Sequence, residues 1–191
     1  MKDLVVRSDK LNEKAKLLLA TFPFQHLAEK HFGNITYTGS YVFNLMIDAD
    51  IDSNIILNPI DKTKIMAFAN DLTEIKECRK VILYNRTYEE TPYFIINVER
   101  FVFEDETWTL TFFIQETDFQ GAIQRNSEIA SKLNTEYRDT ILMLKNWRLN
   151  DDLKVDIPSV FVYEAVIDYG IHDLESFKKF VLARKPNLVF K

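Results

Sequence analysis

The chain has 191 residues, 28% of them charged and 47% apolar, with four glycines and a formal net charge of −5. That is the balance of a folded globular protein large enough to bury a sizeable core, and the acidic excess argues against generic coating of DNA, while leaving room for a local basic patch. A single cysteine, Cys78, excludes a disulfide framework and a cysteine-rich zinc site. With no signal-type or membrane-length apolar run, the expected setting is cytoplasmic, without a membrane partner.

Taken in chain order, Ser8 reads as the N-cap of a helix that places Leu11, Ala15, Leu18 and Leu19 on one face. Pro23 interrupts it, and a second short helix through His31 ends near Gly33. "NITYT" reads as a brief extended segment before Gly39. "SYVFNLMI" has helical spacing at Val42, Leu45 and Met46. "DIDSNIIL" alternates, with Asp50, Asp52, Asn54 and Ile56 facing one way and Ile51, Ser53, Ile55 and Leu57 the other. After Pro59, Asp61 caps a helix carrying Ile65, Phe68, Ala69, Leu72 and Ile75 on one stripe. The extended segments "RKVILYNRTY", "PYFIINVERFVF" and "TWTLTFFIQ" follow, the last two joined by "EDE" as a hairpin. From Asp118 the pattern turns helical: one or two helices from Phe119 to about Leu149, another after Pro158, and a last one capped by Asp173. "NDDLKVDIP" reads as the joint inside this helical part. The organisation expected is an α+β core over 1–117 and a helical region over 118–191.

The stretch Thr38–Leu57 combines features that are costly in a strand. Aspartates are poor strand formers, and like charges on one face repel. Asp50 and Asp52, separated by one strand residue, project to the same side, where hard carboxylate oxygens suit magnesium. Glycine lets the backbone approach a phosphate closely, a helix N-terminus offers unpaired N–H groups, and Ser40 adds a hydroxyl. Asp48 lies on the same face and reads as a solvated flank.

Gly39-Ser40, nine residues, then Asp50-Ile51-Asp52 resembles the signature of the nucleotidyltransferase superfold, which includes DNA polymerase beta, CCA-adding enzymes, oligoadenylate synthetases and small bacterial antibiotic nucleotidyltransferases. The resemblance implies a nucleotidyltransferase-like mixed sheet flanked by helices, with a C-terminal helical extension. It implies that Gly39 and Ser40 cradle nucleotide phosphates at the start of a short helix, and that Asp50 and Asp52 hold Mg²⁺ or Mn²⁺ as catalytic and metal residues. "YRDTILMLKNW", Tyr137 to Trp147, is similar to a helix that follows the core in oligoadenylate-synthetase-like and CCA-adding relatives, whose lysine reaches the triphosphate. Arg138 and Lys145, two helical turns apart, share a face and become the nucleotide-binding cations by that resemblance.

The implied reaction moves a nucleoside monophosphate from an NTP to an acceptor hydroxyl on a small molecule, RNA or protein. One departure stands out. Family members carry a third carboxylate on a later strand, and here Thr111 occupies the expected place. Glu116 is close in sequence, facing the other way if the strand is regular. Loss of that group impairs deprotonation of the acceptor more than nucleotide binding, so the alternative is a catalytically weakened nucleotide-binding or protein-interaction module. Ser53 is a smaller departure. His26, His31 and His172 lack metal-motif spacing, Cys78 reads as structural, and the basic segment Lys178, Lys179, Arg184 and Lys185 is open to a role with RNA or a second substrate.

Overall fold

A computed structural model describes residues 2–151, 153 and 156–190. Helices α1 (Lys2–Thr21) and α2 (Phe24–Phe32) lead into strands β1 (Thr36–Thr38) and β2 (Asp50–Ile56). Helix α3 (Lys62–Thr73) precedes β3 (Lys80–Arg86), β4 (Tyr93–Phe103) and β5 (Glu106–Gln115). Four helices follow: α4 (Ala122–Lys132), α5 (Thr135–Asn150), α6 (Ser159–Ile167) and α7 (Leu174–Arg184). The strands form one sheet in the order β1-β2-β5-β4-β3, with β2 and β5 parallel and the other pairs antiparallel. The fold is α+β.

Strand alternation sorts the side chains as their chemistry demands. On the back face Ile51, Ile55, Phe94, Ile96, Leu110 and Phe112 are buried against Leu18, Phe24, Phe68 and Leu72 of α1–α3. Asp50, Asp52, Thr109, Thr111 and Asn97 fall on the front. A second buried cluster joins α4–α7 through residues such as Ile141, Leu144, Val162, Val166 and Phe177. The two clusters meet in the segment between β1 and β2: Met46 enters the first, while Phe43, Leu45 and Ile47 enter the second.

Local signals set several boundaries. Gly33 ends α2 in the left-handed conformation, Asp61 caps α3 through Thr63 and Lys64, and Asp173 caps α7 through Ser176. Two readings change. Helix α1 begins at Lys2, so Ser8 lies inside it, fully buried, and its hydroxyl is used across the fold. The segment after Gly39 forms successive turns instead of a helix, because Asn44 sits at φ 54° and tertiary hydrogen bonds fix it there. An isolated single helical turn has no stability of its own to resist that. Strand β2 lies inside the sheet, between β1 and β5. The "NDDLKVDIP" joint lies partly outside the described residues, since 152, 154 and 155 are not among them.

Candidate active site

The site begins where β1 ends. Thr38 is in register with Asp52, so Gly39 turns away directly beside that carboxylate. Gly39 has φ +71°, and a Cβ there would stand 3.2 Å from Asp52 Oδ2. A side chain would be strained in its backbone and crowd the carboxylate, so only glycine leaves this space open. Asp50 and Asp52 sit half-buried on the front face of β2. Among the described residues no group of three or more His, Cys, Asp or Glu side chains converges as a metal cluster. Two carboxylates on one strand face fit a magnesium ion that takes its other ligands from phosphate and water.

The turn following Gly39 is held from two sides. The Leu45 N–H donates to the Ser40 carbonyl at 2.8 Å, closing it. From α1, Ser8 Oγ donates to the Asn44 carbonyl (2.9 Å) and Asn12 Nδ2 to the Tyr41 carbonyl (2.6 Å). Asn44 Nδ2 donates to Asp9 (2.7 Å). From α5, Arg138 donates to the Asn44 carbonyl (3.2 Å) and to Asp9 (2.7 Å), and Lys145 Nζ donates to the Leu45 carbonyl (2.7 Å). Arg138 and Lys145 therefore share a face, as their spacing predicts, and grip consecutive carbonyls of the turn.

Lys145 is 1% exposed. Burial pulls its ammonium down to about 8, against the attraction of Asp48, Asp52 and Asp50. Arg148, one turn further along α5, is also buried; burial lowers it too, opposed by Asp48 and Tyr163, and its guanidinium donates to the Ile157 carbonyl. Tyr163 of α6 lies under the Lys145 ammonium, 5.8 Å from ring centre to Nζ, and burial pushes its hydroxyl well up. The helical cluster thus brings a buried cationic pair toward the aspartates of the sheet. Arg148 carries no motif; it reads as an ordinary surface arginine until the fold buries it.

Across the sheet, Thr111 is in register with Asp52 and Thr109 with Asp50. Paired residues share a face, so a hydroxyl borders each aspartate. Glu116 lies beyond the far end of β5, where its carboxylate accepts from the Ile60 N–H at 3.0 Å. Ser53, on the back, donates to the Thr111 carbonyl at 2.9 Å. Two residues along from Asp52 runs a polar row that the sequence pattern does not reveal. Gln115 Nε2 donates to Asn54 Oδ1, and Asn54 Nδ2 donates to Thr38 Oγ1, each at 3.0 Å and buried. On the β1 side a largely apolar cavity of about 140 Å³ opens beside Gly39, walled by Phe43, Arg125, Asn126, Ile129 and Tyr163 among others.

The remaining candidates lie elsewhere. His31 meets Asp71 at 2.8 Å, tying α2 to α3. His172 approaches Glu136 at 3.6 Å. Cys78 is buried, and burial pushes its thiol up to about 12, the state of a structural cysteine. In the C-terminal basic segment, Lys178 packs over Trp147 and pairs with Glu175, and Arg184 lies over Phe180 and pairs with Glu164. No helix among the described residues is long and apolar enough to cross a membrane.

No protein-family model matches the chain, and no curated protein matches it in sequence. Solved structures do match its fold. The Cid1 poly(U) polymerase crystal structure superposes with a TM-score of 0.63 at 16% identity, covering 87% of this chain and 51% of that one. The fold is that of the nucleotidyltransferases. A second Cid1 structure, described for its RNA terminal uridylyl transferase activity, gives a TM-score of 0.64 at 15% identity over 92% of this chain and 54% of that one. A cytoplasmic RNA terminal U-transferase gives 0.60 at 18% over 87% and 48%. The chain spans about half the length of these nucleotidyltransferase-fold proteins.

Proposed function

We propose that this chain binds a nucleoside triphosphate with Mg²⁺ (or Mn²⁺) and transfers the nucleoside monophosphate to an acceptor hydroxyl, releasing pyrophosphate. The observation that carries the reading is the left-handed Gly39 turn, set so closely against Asp52 that a Cβ would stand 3.2 Å from its oxygen. The fold likeness is consistent with it. Among similar structures, Cid1 is described with the UTP analogue UMPNPP and with its short product ApU. An RNA acceptor for this chain is proposed on that ground.

In this reading Asp50 and Asp52 hold the cation, which when bound neutralises phosphate charge and lowers the barrier to displacement. The Gly39–Ser40 turn receives the β- and γ-phosphates. Lys145 adds positive charge behind the turn, and Arg138 keeps the turn in place. The cavity beside Gly39 takes the nucleoside. The acceptor oxygen bonds to the α-phosphorus as the bond to the bridging oxygen of pyrophosphate breaks, and the acceptor proton passes to water. Most of the rate enhancement then comes from positioning and charge complementarity.

A second reading has its own observation. Thr111, in register with Asp52, supplies no carboxylate at the place where a base is expected, which favours a nucleotide-binding module. Pyrophosphate release from each NTP with Mg²⁺ and an oligonucleotide acceptor separates the two. The expected result is slow release by the wild type and faster release by Thr111→Asp, by up to about 10²–10⁴. Brisk wild-type turnover that Thr111→Asp reduces would remove Thr111 from this role. Binding of metal and nucleotide by both proteins with turnover by neither replaces the transferase with the module.

A further inference from the structure

The front face carries a feature that the catalytic reading does not use. Between Val98 and Phe101 the β4–β5 register shifts, from Val98↔Leu110 to Phe101↔Trp108. Two residues of β4, Glu99 and Arg100, therefore oppose the single residue Thr109, which is a β-bulge. On its other side Thr109 is in register with Asp50. Arg100 thus lies two interstrand spacings from Asp50, or about 10 Å, on the side away from Gly39.

Arg100 holds φ 58° and is exposed. A non-glycine residue in the left-handed region is uncommon, and an arginine gains nothing locally from it. Around it opens a groove of about 550 Å³ whose walls, among the described residues, are Arg79, Lys80, Arg100, Val102 and Thr107. Lys80 is matched by Glu99 at 2.6 Å, so Arg79 and Arg100 carry the surplus charge. In a chain of net charge −5, a two-arginine groove in the same cross-sheet row as Asp50 calls for an anionic occupant.

In-line displacement fixes which occupant. The attacking oxygen and the leaving pyrophosphate stand on opposite sides of the α-phosphorus. With the β- and γ-phosphates over Gly39, the acceptor approaches from the β5–β4 side, across Thr109. We propose that the β4 bulge carries a phosphate track for a single-stranded nucleic-acid acceptor, with Arg79 and Arg100 contacting backbone phosphates just behind its terminal hydroxyl. The proposal rests on the transferase reading above and assigns the acceptor its place. Guanidinium groups suit the task, since their fork matches phosphate oxygens. With few such contacts, binding is weak and steeply salt-sensitive.

The test uses the full chain, fluorescence anisotropy and a labelled oligouridylate roughly fifteen nucleotides long, within the range such grooves hold. The Arg79→Glu/Arg100→Glu variant should bind it at least about tenfold more weakly at low salt. Its slope of log affinity against log salt should be shallower by about 1.4, or about 0.7 per lost contact. Lys62→Glu/Lys64→Glu, at exposed positions on α3, should match the wild type. Arg79→Gln, in the exposed residue before β3, should lose about half the slope change and decides the matter if the double variant fails to fold. Unchanged affinity and slope in the arginine variants overturn the proposal, as does equal loss in the α3 variant. So does competition by polyglutamate as strong as by RNA. Wild type that binds Mg²⁺–NTP but no RNA overturns this proposal alone. Wild type that binds no Mg²⁺–NTP overturns the transferase reading, and the track with it.

Discussion

The sheet cluster and the helical cluster contribute opposite charges to one place, and they do so under different constraints. On the sheet side, Asp50 and Asp52 are half-buried and repel each other. On the helical side, Lys145 and Arg148 are each 1% exposed and anchored to backbone carbonyls. In the proposed reading, carboxylates that meet a metal and phosphate keep access to solvent. Cations that act through their field can be placed out of it, where a low dielectric strengthens that field. The segment from Gly39 to Ile47, which sends side chains into both clusters, sets the distance between the two kinds of charge.

The comparison breaks most completely if the carboxylates are removed. Asp50→Asn/Asp52→Asn should abolish metal-dependent NTP binding in titration calorimetry. Equal NTP affinity in both proteins, or no metal dependence in the wild type, would remove the site.

Next in size are two truncations of the shared segment. Met46→Ala should cost about 2–5 kcal/mol and Phe43→Ala about 3–5 kcal/mol in denaturant unfolding. Hydrogen exchange should tell them apart: Met46→Ala loosens the amides of α1 and β2, whereas Phe43→Ala loosens those of α5 and α6. Identical exchange patterns would mean that the clusters do not respond separately.

Lys145→Met tests the buried cation. Leaving the Leu45 carbonyl without its donor should cost about 1–3 kcal/mol, and triphosphate affinity should fall more than monophosphate affinity. A loss shared equally by both nucleotides would make Lys145 structural alone.

The smallest effect concerns Asp9. The Asn44 amide, and after it the Arg138 guanidinium, hold its carboxyl below the usual 3.8, opposed in part by burial. A lowered folded-state pKa stabilises the fold above the unfolded value and loses that contribution as pH falls through the folded one. Asp9→Asn should therefore flatten the acid limb of the stability profile between those values and lower stability at neutral pH, where that contribution is fully present, leaving the lowest pH unchanged. Asp9 is half-exposed, so the change is modest.

The strands, hairpin, the helix caps Asp61 and Asp173 and the common face of Arg138 and Lys145 were legible because each follows from a short-range period or a cap residue. The alternation of Asp50–Leu57 was legible for the same reason. The turn after Gly39 was not: its conformation depends on Ser8, Asp9, Asn12 and Arg138, the last 94 residues from Asn44 in the chain. The burial of Lys145 and Arg148 was hidden because basic residues on a helix ordinarily reach solvent. The β4 bulge was hidden because an extra residue leaves the hydrophobic pattern on both sides intact, Val98 and Phe101 remaining buried. Asn126 and Arg125, which wall the cavity beside Gly39, sit in a helix with no recognised spacing.

The buried amide row of Thr38, Asn54 and Gln115 has a consequence for how β2 finds its neighbours. Apolar contacts are non-directional, and a strand between two partners can slide by two residues without losing much burial. Hydrogen-bonded amides cannot slide: each must meet its partner or stay buried and unsatisfied. A slip of β2 by one residue would also turn every side chain to the other face, driving Asp50 and Asp52 into the back layer. The row works as a key cut for one alignment, so a misthreaded strand is rejected by Asn54 before the carboxylates can be mislaid.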